Sequence, residues 1–209
     1  SEFYDTLLLY LEYDNNDIKK LIDSINMQCK ESQEELELFL HLLIHISNNH
    51  HRDEFLFKKI FQILDYFKDK IKQTFSNSQI FDIFRTNEII ILFLIENSIL
   101  TFDQDFYHSI KFKSESIKKR FLYFFYPEIK EFPEEKKVKD IEEELLKIDP
   151  NIFDSFNQKR HIGENDSYLC SLIRKDSVEE FISHINLSKI KLDCKIEPSI
   201  FETNTFLIE

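Results

Sequence analysis

The segment IFDIFRTNEIIILF, residues 80–93, joins two apolar runs through the polar turn Arg85-Thr86-Asn87. A second segment, LCSLIRKDSVEEFI, residues 169–182, repeats the pattern with apolar residues, an Arg and an Asp in matching places. Apolar residues at this spacing predict a short helix, a tight turn and a second helix. Asn87 and Asp176 occupy equivalent turn positions, and Asn and Asp are the non-glycine residues that best tolerate a left-handed backbone.

Each predicted helix pair carries apolar residues on both inner faces, so neighbouring pairs must cover them. Such stacking is typical of α-solenoids, in which each repeat completes the core of the next. The other predicted helices include one opened by a capping box at Ser32-Gln33-Glu34-Glu35, a long amphipathic helix from about Arg52 to Phe75, and a central buried helix from Ile89 to Ile95. The sequence therefore predicts an all-α fold of stacked antiparallel helix pairs, with a one-off helical bundle as the alternative.

Composition excludes several classes of enzyme. The chain has one glycine, Gly163, among 209 residues. Phosphate-binding loops, dinucleotide-binding GxGxxG turns, kinase glycine-rich loops and nucleophile elbows all need glycine where the backbone turns sharply or approaches a ligand. None of these motifs can be built here, so most nucleotide-dependent enzymes and the α/β-hydrolases are excluded.

Charge and cysteine content restrict the expected partners and location. The formal net charge of −12 disfavours nucleic acid and anionic membrane surfaces as partners. The longest apolar run, Ile89 to Ile95, is too short to span a bilayer. The three cysteines Cys29, Cys170 and Cys194 are widely spaced, which is typical of reduced thiols, and we expect a cytoplasmic location.

His41 and His45 are the residues whose spacing best matches a metal site. They lie four residues apart on one predicted helix with Glu37 one turn earlier, so all three share a face, as a helical zinc site requires. We interpret them as the polar stripe of an otherwise apolar helix, because a fourth ligand cannot be placed. A metal-binding protein or hydrolase that uses His41 and His45 stays a remote alternative. Cys170 is interpreted as a small buried thiol, and no catalytic, cofactor or metal residue is assigned.

Four polar residues in one predicted loop, Asn49, His50, His51 and Arg52, are the candidate partner-binding residues. Polar loop residues carry function more often than core residues do. The alternative is that these residues only end one helix and begin the next, because Asn can cap a helix and His complements the dipole at a helix C-terminus.

Five segments occur in order along nearly the whole chain: SNNHHR at 47–52, IKQTFSNS at 71–78, YPEIK at 126–130, GENDSY at 163–168 and SIFETN at 199–204. Together they resemble the large ankyrin-repeat family expanded in trichomonad parasites. The resemblance implies a helical N-terminal region, residues 1–160, and an ankyrin-like helix pair, residues 161–209, that leads into an ankyrin array beginning near the end of this chain. It transfers no catalytic residues, and the TPLHxA motif of standard ankyrin repeats does not occur.

Two functions follow as expectations. The first is a non-catalytic, helical protein–protein interaction module of an ankyrin-repeat scaffold, with an unidentified protein partner and no cofactor. The second is a structural N-terminal cap that stabilises the downstream ankyrin array. Because a cap must meet the next repeat, the second hypothesis expects the edge around Phe181 and residues 185–190 to be poorly packed.

Overall fold

The computed structural model describes residues 32–49, 54–111, 115–131, 135–163, 167–190 and 200–201, together with 7, 11, 19, 21–23 and 25. These residues form helices and the turns between them, and they contain no strand. The predicted all-α class is confirmed. The chain divides into two compact units, Ser1–Lys118 and Lys119–Glu209. The boundary predicted between residues 160 and 161 therefore lies inside the second unit.

The helices are labelled in chain order. The first unit contains α1 (Gln33–Asn49), α2 (Glu54–Tyr66), α3 (Lys68–Thr74), α4 (Asn77–Phe84), α5 (Glu88–Glu96) and α6 (Gln104–Lys111). Helix α7 (Glu115–Phe124) spans the division. The second unit continues with α8 (Tyr126–Ile129), α9 (Glu135–Ile148), a 3₁₀ helix (Ile152–Asp154), α10 (Phe156–Ile162), α11 (Tyr168–Arg174) and α12 (Val178–Ser188).

The core of the first unit forms around α4, which packs against α1, α5 and α6. Aromatic rings provide several of the closest contacts, such as Phe81 on Phe106, with ring centroids 4.4 Å apart. The run predicted as a central buried helix is α5, and Ile90, Ile91, Leu92 and Leu94 within it are buried. Each fully buried side chain of this size contributes about 1.5–3 kcal/mol relative to its exposed state. Helix α5 is therefore a main source of the stability of this unit.

The long amphipathic helix predicted from Arg52 to Phe75 is interrupted at Phe67, and Arg52 lies outside the described residues. The backbone at Phe67 departs from ideal helical angles, with φ −88° and ψ 3°. Its amide still donates to the Ile63 carbonyl at 3.0 Å, and its carbonyl accepts from the Ile71 amide at 2.8 Å. The Phe67 ring is buried against Phe39 of α1, with centroids 5.9 Å apart. An interruption that keeps the helical hydrogen bonds cannot be predicted from apolar spacing.

Helix caps follow the sequence signals closely. The Ser32 hydroxyl accepts a hydrogen bond from the Glu35 amide at 3.2 Å, which is one of the two bonds of the predicted capping box. A complete capping box forms at the start of α4, where the Ser76 hydroxyl accepts from the Gln79 amide and the Ser76 amide donates to the Gln79 side chain. Gly163 ends α10 in the left-handed conformation, φ 64°, where glycine carries no steric penalty.

The two turns singled out in the sequence both connect short helices, α4 to α5 and α11 to α12. Asp176 adopts the predicted left-handed conformation, with φ 51°. Asn87 does not, and the prediction is wrong there: its φ is −140°. Asn87 instead caps α5, because its side-chain oxygen accepts from the Ile90 amide at 3.1 Å. The equivalent turn residues therefore have different roles: Asp176 adopts a left-handed backbone, whereas Asn87 caps the following helix.

In the second unit a buried ion pair joins α10 to α8. Arg160 Nη1 donates to Glu128 Oε2 at 2.6 Å and to the Phe124 carbonyl at 3.3 Å. Arg160 is only 4% exposed and Glu128 17% exposed at the side chain. A guanidinium buried to this degree needs such acceptors, because moving an unpaired charge out of water is very costly.

Candidate functional site

Of the four predicted partner-binding residues, the structure describes Asn49. It is exposed at the end of α1, and its Nδ2 lies 3.2 Å from His45 Nε2. His50, His51 and Arg52 lie outside the described residues. Their proposed role therefore stays a prediction, and Asn49 contributes an exposed amide at a helix end.

Next to Asn49, a polar cluster links the end of α1 to the turn between α4 and α5. Asn87 is fully buried, and its Nδ2 donates to Asn48 Oδ1 at 3.1 Å and lies 3.4 Å from Ser47 Oγ. Asn48 in turn donates to Thr86 Oγ1 at 3.0 Å. These bonds fix the helices of the first unit together, which is a structural role. The sequence analysis missed the cluster, although the polar run at 47–49 was its signal.

The histidines of α1 do not assemble a metal centre in the part of the chain that the structure describes. His41 Nε2 lies 3.8 Å from Glu37 Oε1, and both side chains are about half exposed. His45 contacts Asn49 instead. Among the described residues, no group of three or more His, Cys, Asp or Glu side chains is placed to hold a metal ion.

Cys170 is less buried than the sequence suggested. It is a free thiol in α11 with intermediate exposure, so its interpretation as a small buried thiol is wrong. Its backbone amide donates to the Ser167 hydroxyl at 3.3 Å, which is the N-cap bond of this helix. Among the described side chains of this short helix, Leu172 alone is buried, and the others are half-buried or exposed.

Lys119, Tyr123 and Glu144 form a charged cluster that joins α7 to α9. The Tyr123 hydroxyl donates to Glu144 Oε2, and Lys119 Nζ lies 3.1 Å from the same carboxylate. The hydrogen bond from Tyr123, followed by the interaction with Lys119, lowers the pKa of Glu144. Burial and then the bond to Glu144 raise the pKa of Tyr123, and Tyr123 and then Glu144 raise the pKa of Lys119. The cluster is a surface connection between two helices.

Replacing Tyr123 by phenylalanine should raise the pKa of Glu144 toward its ordinary value. Since the lowered pKa favours the ionised form in the folded state, Glu144 stabilises the fold at neutral pH, and this contribution is lost as the pH falls through its folded pKa. Tyr123→Phe should therefore lose less stability on acidification than the wild type. Carbon-13 NMR of the glutamate carboxyls measures the pKa directly. Tyr66→Phe in the first unit is the matched control, and an unchanged Glu144 titration in Tyr123→Phe would contradict the assignment.

Helix α12 carries an apolar stripe, formed by Val178, Phe181, Ile182 and Ile185 and called here the α12 stripe; Val178 and Ile182 are exposed, whereas Phe181 and Ile185 are half-buried. Val178 is 56% exposed and Ile182 is 53% exposed, and no residue of α12 is buried. These two residues are four apart and so lie on one face of the helix. Leu187 is 84% exposed but points to the opposite side, since it follows Val178 by two and a half turns. The other flank of α12 contacts α11, where the His184 and Tyr168 rings are 4.8 Å apart.

Of the edge expected to be poorly packed, residues 186–189 are exposed, whereas Phe181, Ile185 and Ile190 are half-buried. The sequence did not single out Val178. Within the described residues, neither α12 nor any other helix is long and apolar enough to cross a membrane.

Comparison with protein-family models, with curated proteins and with solved structures finds no match. Function must therefore be inferred from the side chains themselves, and adjoining exposed apolar residues commonly mark contact sites.

Proposed function

We propose that this chain is a non-catalytic, helical protein–protein interaction module and that the α12 stripe is its contact surface. The observation that carries the proposal is that α12 has no buried residue and leaves two neighbouring apolar side chains of its stripe exposed to water. Val178 and Ile182 each expose more than half of their surface. Covering both would contribute about 2 kcal/mol, since full burial of such a side chain is worth about 1.5–3 kcal/mol. A protein is the proposed partner because the net charge of −12 opposes nucleic acid.

The first unit supports this proposal by showing what covers an equivalent face. In the two repeated segments, Ile182 of α12 corresponds to Phe93 of α5. Phe93 stacks on Phe61 of α2, with ring centroids 4.3 Å apart and planes 7° from parallel. A neighbouring helix therefore covers this position in one pair, whereas Ile182 remains exposed in the other. We infer that a helix from a protein partner fills the corresponding place on α12.

We further propose that the α11–α12 pair is an ankyrin-like repeat and that the chain belongs to a cytoplasmic ankyrin-repeat scaffold of the trichomonad type. The five segments that resemble this family and the short polar turn at Lys175-Asp176 support this proposal. In stacked repeats each pair covers the apolar face of its neighbour. A further repeat stacked on this pair would cover the α12 stripe, which corresponds to the second candidate function below.

The proposed contact surface can be tested by capturing partners with variants of the stripe. Intact protein carrying Val178→Glu and Ile182→Glu should lose its specific partners in proximity labelling, because two buried carboxylates at the contact have no pairing groups. Leu187→Glu is the matched control, since it places a charge on the same helix but on the opposite side, and it should keep the partners. Circular dichroism must show equal helix content in all three proteins. Capture of the same partners by the double variant would overturn the proposal.

A structural cap is the second candidate function, and the lack of any buried residue in α12 favours it. In this case the stripe would bury against the first helix pair of an ankyrin array. When the chain is joined to ankyrin repeats, the array should unfold at higher urea concentration with the native stripe than with Val178→Glu and Ile182→Glu. Equal midpoints would exclude a capping role.

A further inference from the structure

We propose that a second copy of this chain binds the α12 stripe, with the two α12 helices packed antiparallel about a twofold axis. This inference rests on the proposed function, because it names the partner of the same surface. A symmetric contact requires a self-complementary patch, in which each residue meets its counterpart across the axis. The residues of α12 meet this requirement in both spacing and charge.

The spacing of the stripe suits a symmetric helix pair. Val178, Ile182 and Ile185 follow one another at intervals of four and three residues, which keeps them on one seam of the helix, as in coiled coils. Lys189 follows Ile185 by four residues and lies just past the end of α12, in the left-handed conformation with φ 53°. When two such helices run antiparallel, Ile182 faces the second copy's Ile185, and Val178 faces the second copy's Lys189. A lysine side chain then flanks the apolar centre of the contact at each end.

The charges at the two ends of α12 are complementary in the same arrangement. Glu179 lies in the first turn of α12, and Lys189 directly follows the last residue of the helix; both are exposed, and neither forms an ion pair within the described residues. The antiparallel alignment brings Lys189 of one copy beside Glu179 of the other, once at each end. The aliphatic stem of Lys189 can cover Val178 while its ammonium reaches the carboxylate. A parallel arrangement would instead place like charges together.

The size of the contact sets the expected affinity. A contact between two helices of this length buries less than the roughly 1,200 Å² of total surface that stable interfaces bury. We therefore expect a weak dimer that forms with increasing concentration, over about 5–500 µM. The exposed state of Val178 and Ile182 in a single copy is consistent with such an equilibrium.

Sedimentation velocity of the intact purified protein over this concentration range tests the proposal. The wild type should shift from monomer to dimer, and Val178→Glu with Ile182→Glu should stay monomeric. Leu187→Glu, on the opposite side of α12, should dimerise as the wild type does. Wild-type protein that stays monomeric at all concentrations would overturn the proposal, and so would a dimer that the double stripe variant leaves intact.

A charge exchange tests the antiparallel arrangement itself. Glu179→Lys alone and Lys189→Glu alone should each weaken dimerisation about fivefold, because exposed ion pairs contribute modestly and two are lost by symmetry. Combining them should restore most of the loss. A double variant as weak as either single variant excludes this arrangement. If the protein is monomeric but loses other captured partners in the stripe variant, this inference fails while the proposed function stands.

Discussion

Replacing Arg160 by methionine should lower the free energy of unfolding by about 3 kcal/mol. The substitution keeps the apolar stem of the side chain but leaves the Glu128 carboxylate without its 2.6 Å partner. Breaking one side of a buried ion pair typically costs about 3–5 kcal/mol. The lower value applies here because Glu128 retains some contact with water. Urea unfolding followed by circular dichroism measures the effect.

Two matched variants show whether burial causes this cost. Arg85→Met removes an ion pair to Asp82 in which both side chains are more than half exposed, so it should cost less than about 1 kcal/mol. Replacing Arg160 and Glu128 together by apolar residues should recover much of the loss, because no unpaired charge then remains. If Arg160→Met and Arg85→Met cost the same, the buried ion pair does not stabilise the second unit.

Replacing Asn87 by alanine should also cost about 3 kcal/mol. The substitution removes the cap of α5, which is worth about 1 kcal/mol. It also removes the side-chain amide that donates to Asn48 and Ser47. Each buried hydrogen bond lost in this way adds about 1 kcal/mol or more to the loss of stability. The expected loss is therefore well above that of an ordinary surface substitution.

Asp176 provides the matched control, since it occupies the equivalent turn but is exposed and has a positive φ. Glycine substitutions should therefore have different effects on stability at the two positions. Asp176→Gly should be neutral or slightly stabilising because glycine adopts φ 51° without strain, whereas Asn87→Gly should be destabilising. Effects of equal sign at both positions would contradict the different roles assigned to the two turns.

Apolar spacing in the sequence predicted the helical class and most helix positions, because an amphipathic helix buries the apolar residues that recur along one of its faces. The run Ile89 to Ile95 illustrates this, since its length and neighbours identified a buried helix that the structure confirms. The interruption at Phe67 could not be predicted, because the apolar spacing continues across it and only the structure shows the non-helical backbone angles there. Asn87 was identified as a turn residue, but its capping role depends on partners about forty residues away in the chain.

The candidate contact surface could be predicted only in part. Periodicity shows which residues share a face of a helix, but it does not show whether another helix covers that face. Phe93 and Ile182 have equivalent sequence surroundings, and only the structure shows that Phe61 covers the first while the second remains exposed. The loop residues Asn49 to Arg52 drew attention because they are polar, whereas the α12 stripe is distinguished by exposed apolar side chains.

Site-specific photocrosslinking at Ile182 tests the central claim most directly, since it reports any protein that touches the α12 stripe. A photoreactive amino acid placed at position 182 should give crosslinked protein adducts in cells, and the same residue at position 187 should give few, because Leu187 lies on the opposite side of the helix. Adducts from position 182 that map to the second copy would also support the dimer. Equal adduct formation at both positions, or adducts only from position 187, would contradict the assignment of the stripe as the contact surface.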